Sequence, residues 1–284
     1  MTMDEKGLGR RLQTARQNAG LTQQALCHKA ELSYSTLTKI ERGAIRAPSI
    51  FTIQNIAEAL GVGLDELLGA PARSRPSGKK RSKSGVTFIY FDINGCLVRF
   101  YHRAFSKLSA ETGAPADIVE TTFWRYNDLV CRGEMTMEDF NYKLTTELKS
   151  TQPLDWTRYY METIEPIPAM HELVRWAATQ YRVGLLTNIM PGFVDTMLER
   201  GLLPTASYET IIDSSVVGKI KPEPEIYTLA TQKANCPPSE ILFIDDARAN
   251  LMAAEKQGWH VLWFDSYRPE ESIERIMSSL EPAS

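Results

Sequence analysis

The sequence predicts a two-domain protein: a small all-α head, then an α/β body on a parallel sheet with an α-helical cap inserted into it. Three observations predict this. Residues 8–60 place apolar side chains at helical spacing between capping and stop residues. From residue 88 onward, short apolar runs alternate with helical stretches, the pattern of a parallel sheet covered on both faces. The first two of those runs are separated by roughly residues 100–165, far more than a crossover needs. That interval is aromatic and helical in pattern, so it reads as a cap over the sheet's C-terminal edge.

A chain of 284 residues with 43% hydrophobic content suits two ordinary globular domains. No stretch approaches the roughly 20 apolar residues of a membrane span, and residues 1–20 lack a signal-peptide core. A cytoplasmic protein with no membrane partner is expected. The four cysteines are scattered without a CxxC pair, which argues against a disulfide framework or a zinc site. Charge divides the chain. Of its 32 basic and 35 acidic residues, 14 and 7 fall in residues 1–85, leaving 18 and 28 for the rest. A basic head on an acidic body points the head toward a polyanion.

In the head, Leu8, Leu12 and Ala15 share a helix face, and Gly20 stops that helix. Thr22 is placed to cap a short helix over Gln23–Ala30, and Ser33 to cap a third over Tyr34–Glu41, stopped by Gly43. Pro48-Ser49 opens a fourth, with Ile53, Ile56, Ala57 and Leu60 on one face. Two short helices separated by a tight turn have the layout of a helix-turn-helix.

Here the sequence resembles the lambda-repressor/Cro-like (Xre-type) family over residues 7–69. The matching residues are Leu21-Thr22-Gln23-Gln24, Leu26, Ser33-x-Ser35-Thr36-Leu37-x-Lys39-Ile40-Glu41-Arg42-Gly43, Pro48-Ser49, Ala57-x-Ala59-Leu60-Gly61-Val62 and Leu64 to Leu68. Glu31 departs from the glycine usual in the turn. The resemblance implies binding to double-stranded DNA. Helix 34–41 would enter the major groove, with Tyr34, Ser35, Thr38 and Lys39 toward base edges. Thr22, Gln23, Gln24, Ser33, Arg42 and Arg46 complete the DNA-binding set, mainly as phosphate contacts and register. Symmetric pairing on two half-sites makes a homodimer the expected state. Residues 70–85 hold six basic residues, no acid, and several Pro, Gly and Ser, and are expected to form a flexible basic linker between domains 1–69 and 86–284.

The body opens with Phe88-Ile89-Tyr90-Phe91, a buried strand that ends at Asp92 and a glycine turn. Further strands are expected over Val183–Thr187, Glu209–Asp213, Ile241–Asp245 and His260–Phe264, with helices over Ala169–Tyr181, Phe193–Arg200, Glu225–Ala234 and Ala249–Gln257. Four strand ends carry polar residues: Asp92, Thr187-Asn188, Lys221-Pro222 and Asp245-Asp246. Ligands of open parallel sheets sit at such ends. Gathered there, these residues supply carboxylates for a divalent cation, a hydroxyl and an amide for oxyanions, and a lysine to neutralise charge. His28, His102, His171 and His260 have no partner at ligand spacing, and Trp124, Tyr126, Trp156 and Tyr159 read as cap core.

The ordered set Leu185-Leu186-Thr187-Asn188, Gly218-x-x-Lys221-Pro222-Glu223-Pro224-Glu225-Ile226-Tyr227 and Ile241-Leu242-Phe243-Ile244-Asp245-Asp246-x-x-x-Asn250-x-x-Ala253-Ala254 resembles the haloacid dehalogenase superfamily over residues 86–266. The resemblance implies a Rossmann-like fold with an α-helical cap, and a small phosphorylated molecule as ligand. It also implies Asp92 as nucleophile, Thr187, Asn188 and Lys221 around the phosphoryl group, and Mg²⁺ held by Asp92, the Asn94 carbonyl and Asp246, with Asp245 acting directly or through water.

One position departs. Phosphatases of that family carry a second aspartate two residues after the nucleophile, as acid and then base; here it is Asn94, which has no proton to trade near neutral pH. Such help is typically worth about 10²–10⁴-fold. Three readings follow: a ligand-sensing transcriptional regulator, a phosphatase with an autoregulatory DNA-binding domain, or a dehalogenase-like enzyme. The acid pair at 245–246 fits a Mg²⁺ site, which disfavours the third.

Overall fold

The computed structural model describes residues 8–30, 32–45, 48–60, 79–99 and 102–281. The chain divides into two compact units between Ser77 and Gly78.

The head contains α1 (Leu8–Asn18), α2 (Gln23–Lys29), α3 (Tyr34–Glu41) and α4 (Ile50–Leu60). Its start signals act as the sequence predicts. The Thr22 hydroxyl accepts from Ala25 N and the Ser33 hydroxyl from Thr36 N, each at 3.1 Å, so both helices of the turn are capped. Leu12, Leu26, Leu37, Ile40 and Ile56 make the apolar centre. Gly9 lets α1 lie on the end of α3, since a Cβ there would stand 2.5 Å from the Ile40 carbonyl oxygen. Buried beside this crossing, Arg16 and Glu41 pair at 2.7 Å. Glu31, Arg46 and Leu64–Leu68 lie outside the described residues.

The body follows the predicted alternation. Its elements are β1 (Phe88–Phe91), β2 (Val98–Arg99), the cap helices α5 (His102–Thr112), α6 (Ala116–Cys131), α7 (Met137–Glu147) and α8 (Trp156–Thr163), then β3 (Glu165–Pro166), α9 (Pro168–Gln180), β4 (Arg182–Thr187), α10 (Phe193–Glu199), β5 (Thr210–Asp213), α11 (Ser214–Val217), α12 (Pro224–Ala234), β6 (Ile241–Asp245), α13 (Arg248–Lys256), β7 (His260–Trp263) and α14 (Pro269–Ser279). The parallel sheet runs β5-β4-β1-β6-β7. The chain leaves β1 for β4 and β5 on one side and returns to β6 and β7 on the other, so β1 is the switch point where a crevice opens.

Strand alternation sorts the core. Phe88, Tyr90, Ile241 and Phe243 face one layer with Tyr227 and Trp259. Ile89, Phe91, Leu242 and Ile244 face the other, which continues without a break into the cap through Phe123, Phe140 and Trp156. Such double-sided burial explains why these strands are continuous apolar runs. The Trp156 ring centroid lies 4.6 Å from Phe123 and 5.6 Å from Phe105. Of the aromatics expected in the cap core, Trp156 and Tyr159 are buried and Tyr126 is half-buried. Trp124 is the exception at 45% exposed, because it turns off the α6 stripe that carries Phe123. The antiparallel pair β2–β3 ties the two ends of the cap together.

Two further points differ from the sequence reading. Residues 79–85, expected in the linker, belong to the body: Lys80 N donates to Gln180 O, Lys83 N donates to Glu281 O at 2.9 Å, and Ser82 is buried. Arg81 and Lys83 also have acidic partners in Glu240 and Glu281. Residues 70–78 lie outside the described residues. Helix α14 has no counterpart among the expected helices, although Ile273, Ile276 and Leu280 have helical spacing and pack on the cap-side core.

Candidate active site and nucleic-acid interface

The site forms where β1, β4 and β6 end side by side. Asp92 follows β1, anchored by its N–H to Ile244 O at 2.9 Å. Lys221 reaches the same point from the loop after α11, and its peptide bond to Pro222 is cis. The Lys221 ammonium lies 2.7 Å from Asp92 Oδ1 and 2.6 Å from Asp245 Oδ2, and donates to Leu186 O at 3.1 Å. These three charged groups are almost wholly buried.

Asn188 holds Lys221 in place. Its Oδ1 accepts from Lys221 N at 2.7 Å and its Nδ2 donates to Lys221 O at 2.8 Å. The side-chain amide expected to face an oxyanion is therefore engaged with the lysine backbone, a positioning role.

Asp245 is likewise occupied by protein partners, which sets aside the direct role among the two expected of it. Besides Lys221, its carboxylate accepts from Ala247 N at 2.7 Å and from Asn250 Nδ2 at 3.1 and 3.2 Å, so it caps the turn into α13. Its oxygens face these partners, and the structure does not gather it with the possible ligands. That group is Asp92, Asp246 and Cys96, whose ligand atoms lie within 4.8 Å of one another. Cys96 was missed because nothing in its spacing from Asp92 reveals that the turn folds it back.

Gly95 makes the arrangement possible: at φ +86° a Cβ would stand 2.0 Å from Asp246 Oδ2.

The ring is short of positive charge, with three carboxylates around one ammonium. Burial pushes the Asp92 carboxyl up to about 7; Lys221 opposes the rise, and Asp245 and Asp246 add to it. Asp246, at the open mouth, is pushed up to about 6 by the protein around it and by the Asp245 charge. Burial works against the Lys221 charge, but Asp245 and Asp92 outweigh it and hold the ammonium protonated. Oxygen donors lacking a counter-charge fit a hard divalent cation.

Two neutral groups complete the site. Thr187 Oγ1 is, among the described residues, the buried side-chain polar atom without a hydrogen-bond partner. Asn94 Oδ1 accepts from the Tyr160 hydroxyl of the cap at 2.5 Å, and its Nδ2 donates to Asn188 O at 3.4 Å. Burial, with the Asp92 charge, pushes the Tyr160 phenol well above its ordinary range. Beside them lies a cavity of about 10 Å³, lined by Asn94, Asn127, Asn188, Tyr160, Cys131 and an apolar wall of Phe123, Trp156, Ile189, Met190 and Phe193. That is room for about one water.

On the head, Thr22, Gln24, Ser33, Tyr34, Ser35, Lys39 and Arg42 are exposed, while Gln23 and Thr38 are half-buried. Gln23 departs from the expected phosphate contact. Its Nε2 donates to Glu41 at 2.7 Å and its Oε1 accepts from Tyr34 at 2.9 Å, so it braces the exposed Tyr34 against the buried Arg16–Glu41 pair. The Thr38 hydroxyl bonds back to Tyr34 O.

Comparison with known proteins places both units. Residues 12–67 match the helix-turn-helix family, and residues 87–258 match the family described as haloacid dehalogenase-like hydrolase. Acyl-CoA dehydrogenase family member 10 of Mus musculus is 25% identical over 203 residues, 68% of this chain and 19% of that protein. Bifunctional epoxide hydrolase 2 of Rattus norvegicus is 39% identical over 76 residues, 26% of this chain and 14% of that protein. The chain thus spans less than a fifth of either relative. Among solved structures, a predicted HAD-like hydrolase from Porphyromonas gingivalis superposes with a TM-score of 0.55 at 21% identity, covering 68% of this chain and 98% of that one. A HAD family enzyme from Bacteroides thetaiotaomicron, an Asp-to-Ala mutant in complex with magnesium and inorganic phosphate, gives 0.54 at 18%, covering 64% and 95%. Fold, motif order and family match agree: the chain belongs to the haloacid dehalogenase-like hydrolases, with a helix-turn-helix domain fused ahead of the hydrolase domain.

Proposed function

We propose that this protein is a sequence-specific DNA-binding transcriptional regulator whose body binds Mg²⁺ and a small phosphorylated ligand, and hydrolyses that ligand slowly because residue 94 is an amide. The observation that carries the ligand is the Thr187 hydroxyl, buried and without a partner at the end of β4. Leaving a buried hydroxyl without a hydrogen bond costs about 1–3 kcal/mol, and a phosphoryl oxygen beside Lys221 is the partner this position suits. Asp92 is the nucleophile, Lys221 neutralises the phosphoryl charge, and Asn188 fixes Lys221. Asp92, Asp246 and the Asn94 carbonyl would hold Mg²⁺; when bound, it supplies the positive charge the ring lacks. The magnesium and phosphate complex of the Bacteroides enzyme supports the same assignment.

The exposed face of α3 supports the DNA reading. Tyr34, Ser35, Thr38 and Lys39 are directed to base edges, Gln24, Arg42 and the capping residues Thr22 and Ser33 to the backbone, with the protein acting as a homodimer. A second reading, an active phosphatase that regulates its own synthesis, is favoured by the intact Asp92–Lys221–Asp245 ring.

A phosphatase screen with Mg²⁺ on wild type, Asp92→Asn and Asn94→Asp separates the two. Phosphate release that appears only with Asn94→Asp supports the sensor, and strong wild-type release abolished by Asp92→Asn supports the enzyme. If no variant releases or binds phosphate, the ligand assignment fails. Selection of bound DNA that returns no shared sequence would sink the regulator.

A further inference from the structure

Resting on that ligand assignment, we propose that Asp92 is a site of lasting phosphorylation: it takes a phosphoryl group from a small acyl phosphate and retains it. The two halves of the reaction make different demands. In the first, an Asp92 oxygen bonds to phosphorus while the bond to the acyl oxygen breaks, and that electron pair leaves on a carboxylate. A carboxylate needs no proton, so the missing acid at position 94 does not matter. An alkyl ester would expel an alkoxide, which does need one.

In the second half, a water oxygen bonds to phosphorus, the bond to Asp92 breaks, and its electron pair returns to the carboxylate. One proton must leave the water as it attacks. The small cavity beside Asn94 and Asn188 has neither a carboxylate nor an imidazole in its lining. Asn94 cannot take the proton, and both ends of its amide are engaged, Oδ1 by Tyr160 and Nδ2 by Asn188 O. The Asp245 carboxylate is held by Lys221, Ala247 and Asn250. Phosphorylation thus has its nucleophile and the Lys221 ammonium, and with Asp246 given over to the cation, hydrolysis lacks its base.

The full-length protein with Mg²⁺ is incubated with acetyl phosphate, freed of donor by desalting, and followed by intact-protein mass spectrometry. Wild type should gain one phosphoryl group, mapped to Asp92 and absent in Asp92→Asn, while glycerol phosphate should give none. In Asn94→Asp the adduct should decay about 10²–10⁴-fold faster. Equal decay in wild type and Asn94→Asp overturns the proposal. So does the absence of an adduct in a wild type that is stabilised by inorganic phosphate, an outcome that leaves the ligand assignment standing. Absence of both the adduct and phosphate stabilisation overturns the two together.

Discussion

Replacing Thr187 with valine should make the body more stable and blind to phosphate. The side chain is fully buried, its Oγ1 has no partner, and valine keeps the same branched shape in a β-strand. A buried hydroxyl without a hydrogen bond costs about 1–3 kcal/mol, and exchanging it for a methyl group removes that cost. For a unit of this size, each kcal/mol moves the melting temperature by about 2–4 °C. Phosphate acts in the opposite sense. At 100 times its Kd it should stabilise wild type by about 2.7 kcal/mol, and Thr187→Val should lose most of that gain. Urea titrations with and without inorganic phosphate, in the presence of Mg²⁺, measure both effects. A variant less stable than wild type without phosphate would show that the hydroxyl is satisfied, and the reasoning would fail. A variant that keeps the full response to phosphate would remove Thr187 from the ligand.

The other expectations concern distinct parts of the chain. Gly95→Ala should cost about 1–2 kcal/mol for a side chain in the left-handed region, and should weaken Mg²⁺ binding in calorimetry because its Cβ displaces Asp246; unchanged affinity would take Asp246 out of the cation site. Glu41→Ala strands the Arg16 guanidinium inside the head, at about 3 kcal/mol, the low end for breaking a buried pair. It should raise hydrogen exchange across residues 8–60 while leaving the body's protection unchanged. His171 is depressed below its ordinary 6.5 by burial, against the hydrogen bond to Leu97 O. The unfolded chain therefore binds this proton more readily. The stability His171 supplies is complete above about 6.5 and declines as pH falls through its lower folded value. Urea midpoints at several pH values should show this loss in wild type and a shallower one in His171→Gln; parallel curves would contradict it.

Much of this protein follows from its sequence alone. The alternation at 88–91, 182–187 and 241–245 determines the strands and their burial, because period-2 side chains must fill layers on both faces of a parallel sheet. Acids, hydroxyls and a lysine at successive strand ends then meet at one edge, since parallel strands all end on the same side. Ser33 and Thr22 mark their helices because a helix start needs an acceptor for its free N–H groups. Only the tertiary structure decided how those side chains are used. Asn188 clamps Lys221 33 residues away, Asp245 turns to Lys221 and Asn250, and Gln23 braces Tyr34 against Glu41. Asn94 is engaged by Tyr160, 66 residues along the chain, and Thr187 Oγ1 has no such protein partner. Spacing along a chain places a residue on a strand end or a helix face. Which donor meets which acceptor depends on turns and on the packing of the cap, and these bring together residues whose separation in sequence carries no period.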